Sequence, residues 1–139
     1  DETGGRHKHL MVATGTGIAP FCSIVRRLHR DWEQGRCSPQ RRLVVVHGAS
    51  RGRELVFADT LRSIAREVGW LTYIPTLSRP WEEPSWKGER GRCEDVLRKH
   101  ADQQGLVPGE TSAYLCGHLR MIDRARGILG RAAGRRGIF

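Results

Sequence analysis

The chain has 139 residues, the size of one ordinary domain built round one core. Apolar residues make up 38%, no run approaches the ~20 residues that cross a bilayer, and the opening DETGGRHKH lacks the apolar segment of a signal peptide, so a cytoplasmic domain without membrane attachment is expected. A net charge of +9 suits an acidic partner of some kind, whether nucleic acid, phosphorylated small molecule or acidic protein, and the four cysteines lack the C-x-x-C spacing of a zinc ribbon or a disulfide framework.

From the N-terminus, residues 10–13 form a short apolar run, and a helix is expected from about Ala19, with Phe21, Ile24, Val25, Leu28 and Trp32 on its buried face. Pro20 falls in the first turn, where a missing N–H costs least. Gly35 and Ser38-Pro39 end that helix. Residues 43–46, Leu-Val-Val-Val, are a continuous run of the kind buried on both faces of a parallel sheet. Phe57, Leu61, Ile64, Ala65 and Val68 then recur at helical spacing before Gly69, and residues 71–77 supply a third strand.

Between Ser78 and Gly91 lies RPWEEPSWKGER, which fits no helix or strand template and reads as a surface excursion of functional length. A short helix over residues 94–100, a turn at Pro108-Gly109, a fourth strand over 113–116 and a last helix carrying Met121, Ile122, Ala125, Ile128 and Leu129 complete the chain. Four strand–helix units joined by short connections predict a single α/β domain, a Rossmann-like parallel sheet with helices on both faces. Ligands of such sheets bind at the carboxyl ends of the strands, and T-G-T-G, S-R and C-G-H all fall there.

Thr14-Gly15-Thr16-Gly17, after a strand and before a helix, can turn tightly and offer N–H groups at the positive helix end, where a pyrophosphate is favourable. A plain strand–helix turn is the competing reading, since G-x-G is common and the third glycine of the dinucleotide fingerprint is replaced by Pro20. The longer stretch ATGTGIAPF resembles the nucleotide-binding segment of the ferredoxin–NADP reductase family. LVVVHGASRGRELVF, YIPTLSRPWEEPSWKGERGRCEDVL and AYLCGHLRMID are similar to that family's later strands and helices, in order, from about Arg6 to about Gly130.

The resemblance implies that Thr14, Gly15, Thr16, Gly17 and Pro20 shape the pyrophosphate and nicotinamide end of a pocket for NADP(H). It implies that Ser78 and Arg79 are the S-R pair that holds the 2′-phosphate, with Arg92 and Arg51 as further basic groups there. A hydroxyl beside guanidiniums is what a phosphate monoester needs, and no Asp or Glu closes strand two, where HGASR stands, to take the ribose hydroxyl of NAD. Cys116, otherwise a small buried hydrophobe, would lie with Gly117 beside the nicotinamide ring and orient it for hydride transfer, without acting as a nucleophile. Trp81 and Trp86 are placed either to cover an adenine or to pack against the domain. His47, His100 and His118 form no recognisable metal set, and His118 is at most a neighbour of the nucleotide.

Reductases of this family carry a flavin-binding antiparallel β domain ahead of the nucleotide domain, so residues 1–139 correspond to the NADP-binding domain, with FAD expected on an upstream domain. The ending GILGRAAGRRGIF departs from relatives, and Phe139 is given no flavin-stacking role. The function implied is hydride transfer between NADPH and FAD, with ferredoxin or flavodoxin as the electron partner. Two alternatives stand beside it: a reductase component serving an oxygenase, and a basic nucleic-acid-binding module carried by the arginine-rich C-terminal stripe, which lacks interleaved aromatics.

Overall fold

The computed structural model describes residues 8–36, 41–106 and 110–132. Five strands, β1 (Lys8–Thr14), β2 (Arg42–Ala49), β3 (Leu71–Leu77), β4 (Glu89–Arg90) and β5 (Thr111–Cys116), form one sheet in the order β4-β3-β2-β1-β5 with every pair parallel. Four helices, α1 (Ala19–Glu33), α2 (Ala58–Glu67), α3 (Cys93–Gln103) and α4 (Leu119–Ala132), cover its faces. This is the expected Rossmann-like α/β domain.

Strand alternation sorts the core into two halves, because successive side chains point to opposite faces. Leu10, Val12, Val44 and Val46 pack against Val96 and Leu97 of α3 and Met121, Ala125 and Leu129 of α4. Met11, Ala13, Leu43 and Val45 pack against Phe21, Cys22 and Val25 of α1 and Leu61 and Ile64 of α2. Both faces of β1 and β2 are therefore apolar, the reason those segments read as unbroken hydrophobic runs. His29 of α1 joins α2 across the second layer, its Nε2 lying 2.8 Å from Glu67.

Three expectations need correction. Phe57 does not belong to the buried face of α2: it precedes the helix with φ +64° and is 46% exposed. Ile24 is 45% exposed, since it lies about 100° round the helix from Val25 and α1 buries only a narrow stripe. The excursion after Ser78 is not wholly irregular. It makes a single 3-10 turn at Pro80–Glu82 and then returns as β4, pairing Glu89 with Thr76 and Arg90 with Leu77. The Thr76 hydroxyl donates to the Gly91 carbonyl at 2.7 Å, and the Gly91 N–H donates to Leu77 at 2.7 Å. Two residues are too few for alternation to reveal a strand. Trp86 packs within this excursion, donating its indole N–H to the Glu89 carbonyl at 2.8 Å with the Arg62 guanidinium over its ring, whereas Trp81 is 71% exposed.

The excursion is anchored to α3 as well. Glu89 receives the Lys99 ammonium at 2.6 Å and the His100 ring. The Lys99 hydrogen bond, followed by that of His100, holds the Glu89 carboxyl below the usual carboxylate range. The Pro108-Gly109 turn, Ser38-Pro39, Cys37 and residues 133–139 lie outside the described residues; Cys22, Cys93 and Cys116 are free thiols.

Candidate functional site

A cleft of about 1120 Å³ opens over the carboxyl ends of the strands, at least as large as the ~300–1,000 Å³ typical of small-molecule and cofactor sites. It sits where the sheet order reverses, with β2 on one side of β1 and β5 on the other. Thr14, Gly15, Thr16, Gly17 and Pro20 form one wall of it, Cys116 and Gly117 face them, and Ser78 and Arg92 line the far side. Arg51 and Arg79 are not part of its lining.

The glycines of the first wall act differently from one another. Gly15 adopts φ +51° with open space where a Cβ would be, which suits a loop approached from outside. Gly17 instead lies against β5, and a Cβ there would stand 2.8 Å from the Cys116 carbonyl oxygen. Gly117, at φ +133°, is pressed on Thr14: an added Cβ would meet the Thr14 hydroxyl and lie 2.9 Å from its backbone N. The His118 N–H closes the seam by donating to the Thr14 hydroxyl at 2.8 Å. Close approach of two protein segments, as well as room for a ligand, thus accounts for the glycines. Pro20 occupies the first turn of α1, as expected.

Sequence reasoning missed the group that holds this loop from beneath. His47 on β2 has no solvent exposure, its Nε2 is 2.9 Å from the Gly15 carbonyl oxygen and its Nδ1 is 2.8 Å from the Tyr73 hydroxyl. A carbonyl only accepts, so Nε2–H donates to Gly15 and Nδ1 accepts from Tyr73. Burial pushes the His47 pKa down, against the opposing pull of the Gly15 hydrogen bond, and burial pushes that of Tyr73 up. Both groups thereby keep the protonation that this chain of hydrogen bonds requires. A lone His at the end of an apolar strand gave no local signal of it.

The cleft floor contains Cys93 at the start of α3. Its thiol donates to the Ala13 carbonyl at 3.2 Å, and it fills the space that a Cβ on Gly48 would need. Burial, with Glu94 next in importance, raises the Cys93 pKa to about 12, so it is an inert thiol at neutral pH. Two carboxylates that sequence reading passed over, Glu54 and the buried Glu94, also line the cleft. Arg92 precedes α3, where Asp95 accepts its backbone N–H at 3.0 Å and caps the helix.

On the outer rim, the Ser78 N–H donates to Ala49 at 3.0 Å and the Arg79 N–H to Ser50 at 3.1 Å, so the ends of β2 and β3 are zipped together. This brings Arg51 and Arg79 to one place, outside the lining of the cleft. Both already meet a carboxylate there: Arg51 Nε lies 3.2 Å from one oxygen of Glu82, and Arg79 Nη1 3.5 Å from the other.

The oxidoreductase NAD-binding domain family matches residues 11–127. Among curated proteins, the chain is 30% identical over 116 residues to the phenol 2-monooxygenase reductase component DmpP of Pseudomonas sp. (strain CF600), covering 84% of this chain and 30% of that protein. It is 31% identical over 135 residues to ferredoxin–NADP reductase B of Sorangium cellulosum, covering 93% of this chain and 52% of that protein. The chain thus spans about half or less of the length of these relatives. A solved ferredoxin NADP+ reductase of Neisseria gonorrhoeae, with bound FAD and NADP, superposes with a TM-score of 0.67 at 23% identity, over 91% of this chain and 49% of that one. That likeness establishes the fold.

Proposed function

The chain belongs to the oxidoreductase NAD-binding domain family, and from that premise we propose that residues 1–139 are the NADP(H)-binding half of a flavin-dependent reductase, with FAD carried on a domain upstream. The observation that carries the reading is the clustering at one end of a strand-end cleft of Ser78 and Arg92, with Arg51 and Arg79 on its rim. These groups suit a phosphate monoester, and β2 ends in His47-Gly48-Ala49 without the acid that would take a ribose 2′-hydroxyl.

The residues present fit the nucleotide. Gly15 leaves open space at the loop, α1 presents its positive end, and Thr16 is exposed at the cleft mouth. The pyrophosphate would rest on the loop from Thr14 to Gly17, and the nicotinamide on Cys116 and Gly117. A flavin bound on the upstream domain would supply the acceptor for one hydride, that is two electrons with a proton, and a means of releasing those electrons singly. Cys116 serves as a positioning surface beside the ring, and the seam between Gly17 and Gly117 fixes where that surface stands.

The acceptor is ferredoxin or flavodoxin, acidic proteins matched by the chain's net charge of +9. A reductase component serving an oxygenase is the second reading, favoured by the similarity to the phenol 2-monooxygenase reductase component. Among the described residues no helix is long and apolar enough to cross a membrane; three free thiols support a cytoplasmic site.

Calorimetric titration of the chain with 2′-phospho-AMP and with 5′-AMP tests the cofactor assignment. Charge-assisted contacts contribute roughly 1.5–3 kcal/mol each, so two of them predict at least ~10-fold tighter binding of the 2′-phosphorylated nucleotide. Equal affinities overturn the assignment.

A further inference from the structure

The two rim arginines are bridged by a carboxylate from the chain itself. Glu82 ends the short turn Pro80–Glu82 and directs Oε1 to Arg51 Nε at 3.2 Å and Oε2 to Arg79 Nη1 at 3.5 Å, one oxygen to each guanidinium. The position is fixed by more than the ion pairs. The Glu82 N–H donates to the Arg79 carbonyl at 3.2 Å, and the neighbouring Glu83 carboxylate lies over Gly52, where a Cβ would stand 2.7 Å from it. The turn is thereby seated on the segment that begins with Arg51.

A carboxylate and a phosphate monoester ask the same thing of a guanidinium: charge and directed N–H donors. We propose that Glu82 is a specificity-determining residue, an intramolecular anion held between Arg51 and Arg79 that the 2′-phosphate of a nucleotide must displace. The inference rests on the NADP reading above and deepens it. A nucleotide lacking the 2′-phosphate has nothing to displace and meets a rim whose positive charge Glu82 already offsets in part, with Glu54 4.0 Å from Arg51 as a second carboxylate there. Glu82 therefore lowers discrimination in favour of the phosphorylated nucleotide while leaving the rest of the cleft unaffected.

The side chains of Arg51, Arg79 and Glu82 are 30%, 52% and 36% exposed, so solvent screens the competition and its size is modest, roughly two- to tenfold in affinity. The test is titration of wild type, Glu82→Gln and Glu82→Ala with 2′-phospho-AMP and 5′-AMP, each variant first checked for cooperative thermal unfolding. Both variants are expected to bind 2′-phospho-AMP two- to tenfold more tightly, with 5′-AMP unchanged. The gain should shrink in high salt. Unchanged or weaker binding of 2′-phospho-AMP by both variants overturns the proposal, the weaker result meaning that Glu82 orients the arginines instead of competing for them. The cofactor reading is judged separately, by the wild-type ratio of the two affinities, so failure of one is distinguishable from failure of the other.

Discussion

At the β1 and β5 ends of the cleft, Thr14, Gly17, Cys116 and Gly117 are positioned by backbone pressed on backbone, with a buried histidine beneath. At the β2 and β3 ends, Arg51 and Arg79 are positioned by long side chains in half-exposed ion pairs. The first arrangement is stiff, because close-packed backbone has no alternative rotamer to adopt. The second is adjustable and screened by salt. The contrast suits a dinucleotide whose reacting end must be placed to within a fraction of an ångström and whose far end has only to be gripped.

The largest effect is expected where the stiff wall is broken. Gly117→Ala puts a Cβ on Thr14 at a backbone conformation, φ +133°, that L-residues rarely adopt. A loss of about 2–4 kcal/mol in urea unfolding is expected, against about 0.5 kcal/mol or less for Arg79→Ala on the adjustable rim. Equal losses at the two positions would erase the distinction between the two ends.

Next comes Cys116→Ala, tested in a protein where this chain is joined to an upstream flavin domain of the kind proposed above. Flavin reduction by NADPH in stopped flow should slow by on the order of 100-fold, while affinity for 2′-phospho-AMP, which lacks the nicotinamide half, stays unchanged. A cysteine that served only as core filling would lower stability and both readouts together.

The smallest effect concerns the support under the loop. His47→Gln is expected to lower stability by about 1–2 kcal/mol at pH 8, through loss of the bonds to Gly15 and Tyr73. It should also change the pH dependence. Burial lowers the folded-state pKa of His47 from 6.5, so below that pH the unfolded chain takes up a proton that the folded chain refuses. Wild-type stability is therefore full above about pH 6.5 and falls as the pH drops, by at most about 1.4 kcal/mol per pH unit for one such group. The variant should show a shallower fall. Part of the slope remains, because burial, with Arg41 adding to it, also lowers the pKa of His9. An unaltered slope between pH 6.5 and 5 would show that His47 takes up its proton in the fold as readily as in the unfolded chain, contrary to the expected lowering.

By itself the sequence determined the layers and the place of the cleft. Val44, Val45 and Val46 announce a strand buried on both faces, Phe21, Val25, Leu28 and Trp32 repeat at helical spacing, and Gly15 and Gly17 punctuate the junction between strand and helix. Burial periodicity is written into neighbouring residues, and a periodicity of two or 3.6 is legible wherever it runs long enough. Ser78 was legible as a cleft residue because it stands at a strand end, whereas Arg92 was named through the family resemblance; both line the cleft, and Arg51 and Arg79, read the same way, do not. Only the tertiary structure decided that Gly17 and Gly117 are needed for one segment to press on another about a hundred positions away, that His47 holds the Gly15 carbonyl, and that Glu82 lies between Arg51 and Arg79. The same holds for β4, whose two residues pair with Thr76 and Leu77. The physical reason is common to all of them: a contact between residues remote in the chain depends on the direction in which each element carries its side chains, and no local pattern of hydrophobicity or charge records that direction.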